Sequence, residues 1–320
     1  MKQTLITALW AASVALSLTN QAAAQDSVTP IVKHALVTLR IPGYADFLAA
    51  DGEAVWTTNE GRVEKLRHEH SRPVAQVPIS GPCGAMTIGF GALWVANCPD
   101  SSVYRIDLRT NKVSGVIRTG LADPTGELSL AAGAGSVWVL TDQKGFLSRI
   151  NPHTERVVAR IPVAAHSYAA AFGFNSVWIT NTGPDGAAAP GSVQRIDPKT
   201  NRVVATIPVG PAPRFLAAGE GGVWTLNQGD GSVTHIDPRT NRVVATTQVG
   251  MKGSGGDIAT GGGRVWVRGS RLLLLSIDPA TDRVLERFGP PAGSGAVRVA
   301  GNLVWVTAHD IHTVWVLRPR

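Results

Sequence analysis

A tryptophan set among β-branched residues returns seven times along this chain, at Trp56, Trp94, Trp138, Trp178, Trp224, Trp266 and Trp305, at spacings of 38–46 residues. The surrounding motif is small-Gly-x-Gly-x-Val-Trp-Val. A period of that length points to a solenoid or a propeller rather than to one ordinary core. The unit shows most plainly where Asn201-Arg202-Val203-Val204-Ala205-Thr206 is answered by Asn241-Arg242-Val243-Val244-Ala245-Thr246.

Each copy reads as four short strands, A to D. In the fifth copy, strand A covers 215–218, a Gly-rich turn follows, and strand B (223–227) carries the tryptophan. Strand C covers 232–237 and strand D 242–249. Runs of Val, Ile and Thr divided by turn residues are the pattern of antiparallel sheet. The C–D turn, Asp237-Pro238-Arg239-Thr240-Asn241, has a local mechanism. The aspartate accepts hydrogen bonds from the backbone beyond it, the proline presets φ, and the asparagine tolerates a left-handed conformation. These aspartates are therefore turn formers, and the tryptophans are packing wedges between sheets. Only 17% of residues are charged, while Gly (35) and Pro (20) are plentiful, as many tight turns require.

The ends predict a closed ring. The last copy has strands at 297–300, 304–307 and 313–317 but no strand D, and the segment 35–43 reads like one. The expected fold is an all-β, seven-bladed propeller over 25–320, closed three-plus-one by the N-terminal strand, which leaves no free sheet edge. Residues 1–24 read as a secretory leader, with Lys2, an apolar run from Leu5 to Leu18 and Ala22-Ala23-Ala24 before the mature start at Gln25. A periplasmic or secreted monomer without a membrane span is expected. The formal net charge of +7 is mild for the length and does not call for nucleic acid.

Strand A lines the channel of a propeller, and the D–A and B–C loops surround its upper mouth. The residues just before strand A are Asp46, Cys83, Glu127, Tyr168, Arg214, Asp257 and Gly295-Ala296, with His166 beside Tyr168. Their type changes at nearly every blade, whereas a purely structural position would repeat. The strand B ends add Glu60 and His309 among repeated asparagines, and Asp142 as a further departure. Asp46, Glu127, His166, Tyr168, Arg214, Asp257 and His309 are thus the candidate ligand contacts. Cys83 and Cys98 fall opposite each other if Ile88 faces Leu93 across the A–B turn, which predicts a disulfide. On the lower face, Arg109, Lys112, Arg156, Lys199, Arg202, Arg239, Arg242 and Arg283 form a basic ring, expected to pair with the nearby turn aspartates. Two longer upper loops stand out: 182–191, a small-residue flap, and 250–256, expected to be flexible.

The unit Ser-Val-x-Arg-Ile-Asp-Pro-x-Thr-Asn-Arg-Val-Val-Ala-Thr-Ile-Pro-Val-Gly resembles the YVTN-type (YncE-like) β-propeller repeat, from Val37 to the C terminus. That resemblance implies an exported binding or scaffold propeller with a small molecule or a periplasmic protein as partner. No nucleophile elbow, phosphate loop or His-Glu-x-x-His motif is present. Two enzyme groups share the wider architecture. A streptogramin B lyase-like reading implies His166 or Tyr168 as general base and Glu60 or Glu127 as acid or metal contact, although Arg214 stands at a position those lyases fill with histidine. A gluconolactonase-like reading implies a lactone hydrolase with Asp46, Glu127 and Asp257 around Ca²⁺ or Mg²⁺. No other cofactor is expected.

Overall fold

The structure is a computed structural model that describes residues 27–121, 127–141, 145–183 and 190–319. The leader, Asp142 and most of the 182–191 flap lie outside them. Seven four-stranded antiparallel units stand side by side, ordered A-B-C-D from the inside out. Their inner strands touch in a closed circle, that of blade 7 (Val297–Ala300) meeting that of blade 1 (Leu48–Asp51). Blade 5 is typical, with strands Pro213–Gly219, Gly222–Asn227, Ser232–Asp237 and Arg242–Gln248. The seventh sheet takes its outer strand from the N-terminal side: Ala35–Arg40 pairs antiparallel with Thr313–Leu317. A further strand, Val28–Pro30, adds in parallel to the outer edge of blade 6 at Arg283–Gly289. Three residues ending in proline carry too little pattern to announce it.

All seven repeat tryptophans are 0–1% exposed. In blades 2 to 6 the indole Nε1 donates to the carbonyl of the glycine five residues earlier, at 3.0–3.2 Å. That residue is glycine for want of room: a Cβ on Gly133 would lie 2.1 Å from the Phe172 ring of the next blade. In blades 2 to 5, a strand C side chain covers the indole. Arg149 and Arg195 lie 4.9 and 5.0 Å from the ring centres of Trp138 and Trp178. His235 stacks on Trp224 at 3.8 Å.

These covering residues also latch each blade to the next. Arg105 reaches Glu155 (3.1 Å), Arg149 reaches Asn201 (2.9 Å), Arg195 reaches Asn241 (2.9 Å) and His235 reaches Asp282 (2.8 Å). Each receiving residue sits in the C–D turn at a left-handed φ of 55–57°. The position that lets the turn close therefore also accepts the neighbour's side chain. Beside each covering residue the C–D pairing shifts register, a bulge that leaves Val158, Val204 and Val244 more than half exposed on the rim.

The turn aspartates work as read from the sequence. Asp237 accepts from the Arg239 amide at 2.8 Å and the Thr240 hydroxyl at 3.1 Å, and backbone hydrogen bonds hold its carboxyl below the usual range. The lower basic ring does not pair as expected. Among its described members, only Arg239 forms an ion pair with a turn aspartate, at 3.5 Å to Asp237, because the carboxylates already serve the turn backbone.

Candidate functional site at the channel mouth

Upper loops of the blades enclose a mouth with two lobes. One, about 440 Å³, is lined by Tyr44, Asp46, Glu127, Tyr168, Arg214, Gln228, His309 and Asp310, with Ser and Gly backbone between them. The other, about 430 Å³, shares Tyr44, Asp46, Phe47 and Glu127 and extends to Glu60 and Cys83. Asp46 and Glu127 therefore stand on the wall common to both. Below, the channel is lined by inner-strand alanines with Thr87, Thr260 and Arg298.

Buried strand B threonines place two of the mouth residues. Thr307 accepts from the Ala296 amide (2.7 Å) and donates to the Asp46 carbonyl on the neighbouring blade (2.8 Å). Thr180 likewise accepts from Ala169 and donates to the Arg214 carbonyl at 3.3 Å. The Asp46 backbone is fixed further by its amide bond to the Thr58 carbonyl, at 3.1 Å. Its carboxylate, in contrast, meets no hydrogen-bond or ion-pair partner among the described residues. Burial raises this carboxyl to about 7, with Glu127 and Asp257 adding in the same sense.

Tyr168 donates its hydroxyl to Glu127. Its ring packs edge-on against Phe215 at 5.7 Å, and the Arg214 guanidinium lies 4.8 Å from its centre. Burial, and then Glu127, push the Tyr168 hydroxyl upward. Burial also raises Glu127, offset in part by the Tyr168 hydrogen bond and Arg214. At the opposite side Tyr44 stacks on His309, with ring centres 3.9 Å apart. The His309 side chain is 6% exposed, and its Nδ1 lies 2.7 Å from Asp310 Oδ1, an ion pair when the ring is protonated. Burial lowers His309, with Asp310 opposing. Arg268 is wholly buried close by and donates only to carbonyls of Thr307, Gly269 and Ala292. Burial lowers it to about 10, against the upward pull of Asp46, Asp310 and Asp257.

The structure brings Asp46, Glu127, Tyr168, Arg214 and His309 together and separates the rest. His166 is exposed, at a left-handed φ of 63°, and its carbonyl anchors Thr182. It is a turn residue outside both lobes. Asp257 is 3% exposed and fully engaged: it accepts from the Ile258 and Val297 amides and from Arg298 at 2.5 Å. With its oxygens taken, the triad of Asp46, Glu127 and Asp257 is not an open oxygen cage. Among the described residues, no group of three His, Cys, Asp or Glu is arranged to hold a metal. Glu60 lies exposed at the far end of the second lobe.

The repeated asparagines are loop ties; Asn59 accepts from the Tyr44 and Glu60 amides and donates to Pro42 and Glu64. The 250–256 loop is also tied down, by buried Met251 and by Gln228 donating to the Gly255 carbonyl at 2.8 Å. Tyr44 and Asp310 were not singled out from the sequence. They flank Asp46 and His309 in the chain, which was the one available signal.

The disulfide Cys83–Cys98 is present, with a Cα–Cα distance of 5.9 Å. Ile88 does face Leu93. Farther up, the register slips so that Pro82 bridges Asn97, and the sulfurs still meet.

No family model matches the chain, and no curated protein matches it. Solved structures do resemble it. Kuenenia stuttgartiensis hydrazine synthase is 14% identical, with 87% of this chain and 96% of that one covered and a TM-score of 0.73. A streptogramin B lyase is 13% identical over 87% and 95%, with a TM-score of 0.70. Virginiamycin B lyase from Staphylococcus aureus is 12% identical over 89% and 99%, with a TM-score of 0.70. At such identity the likeness establishes the propeller fold and nothing finer.

Proposed function

We propose that this chain is an exported, non-catalytic binding propeller of the YVTN type, whose small-molecule ligand seats in the two-lobed mouth. The observation that carries the reading is the contrast around Asp46. Its backbone is held from two blades, yet its carboxylate has no partner among the described residues, in a cavity of a size suited to a small molecule. The disulfide supports an oxidising location, and no described helix is long and apolar enough to cross a membrane.

The lyase reading has weaker support: Glu127 and Tyr168 meet, but His166 stands outside and Tyr168 gives its proton to a hydrogen bond. The lactonase reading lacks a free Asp257. A thermal-shift screen of polar metabolites tests the proposal. Hits are expected to bind without being consumed and to be lost in Asp46→Ala and Tyr44→Ala. Turnover of a hit, or binding indifferent to both variants, would count against it.

A further inference from the structure

The mouth has the opposite sign to the protein around it. The chain carries a formal +7, yet its two lobes present Asp46, Glu60, Glu127 and Asp310 against Arg214 as the one lining arginine. That guanidinium already lies over the Tyr168 ring. Resting on the binding role proposed above, we infer that the ligand is an organic ammonium ion, with its charged nitrogen at Asp46 and its carbon body between the aromatic walls.

Two independent observations lead there. Asp46 is an acceptor without a donor, and a protonated amine brings donors and charge together. Tyr44, one face of which stacks on His309, lines both lobes with Asp46, and a tyrosine face attracts cations once water is displaced. An anion would face three carboxylates in either lobe. A bare divalent cation would need about six or more oxygens, and the described residues offer no such cage.

The test is calorimetry on the intact protein at pH 8 with 2-phenylethylamine, choline and putrescine. 2-Phenylethanol and phenylacetate serve as neutral and anionic counterparts of the first, and CaCl₂ as the metal alone. At least one amine is expected to bind, to weaken by about tenfold or more in Asp46→Asn, and to be unchanged in Arg239→Gln on the lower face. The near-isosteric asparagine keeps the backbone ties, and a cooperative melting transition no lower than the wild type's verifies its fold. Binding of phenylacetate or phenylethanol that depends on Tyr44 and Asp46 would overturn the ammonium assignment and leave the mouth as the binding site. Calcium binding in place of the amines, unchanged amine affinity in Asp46→Asn, or no amine binding at all would each overturn it as well.

Discussion

Arg298 holds Asp257 at 2.5 Å across the joint between blades 7 and 6, so this buried carboxylate belongs to the scaffold. Removing one member of a buried pair strands the other. Arg298→Ala is expected to destabilise the fold by about 3 kcal/mol, softened by the two amides that still reach Asp257. The double variant Arg298→Met/Asp257→Asn should recover most of the loss in urea titrations.

Asp46 sets a pH dependence. Its carboxyl rises from 3.8 unfolded to about 7 folded, so the folded chain holds this proton more tightly. The stabilising contribution is full below pH 4 and is lost as pH rises through about 7. Asp46→Asn has no such loss. Its melting temperature relative to wild type should climb between pH 4 and pH 8, by an amount on the order of 2–4 kcal/mol in free energy. A constant difference across that range would refute the assignment.

The blade latch can be tested apart from the core. Arg195 covers Trp178 and donates at 2.8 Å to Pro238 and 2.9 Å to Asn241. Arg195→Ala is expected to lower stability by roughly 1–3 kcal/mol. A double-mutant cycle with Asn241→Ala should return a coupling of about 1 kcal/mol; zero coupling would reduce the latch to a geometric coincidence.

Cys83→Ser/Cys98→Ser opens a loop with a sequence separation of 15, which corresponds to about 3 kcal/mol in the chain-entropy account. Because Cys83 lines the second lobe, the same variant should weaken ligand binding more than a distant change of equal stability cost. Parallel melts and binding curves decide this.

The tryptophan period made the blade count and the ring closure legible, because both follow from local pattern. The turn aspartates were legible for the same reason: Asp237 and Thr240 are three residues apart. The latch was not read, although an arginine before Ile-Asp or Ile-Asn recurs at Arg105, Arg149 and Arg195. Its partners lie 46–52 residues ahead, and no local rule joins them. At the mouth, the position before strand A marked the right loops. It did not reveal that Asp257 would be claimed from the next blade by Arg298, or that a left-handed turn would set His166 outside.

The strand Ala35–Arg40 ties the two ends of the chain into one sheet, and His312 bonds to the Gly43 carbonyl across 269 residues. Such closure makes folding order a matter of waiting. Blades 1 to 6 can assemble from neighbouring sequence, but Ala35–Arg40 has no sheet partner until Thr313–Leu317 is in place. Long-range pairing of this kind slows the final step, and until it is taken Thr313–Leu317 presents a bare, mostly apolar edge to other chains.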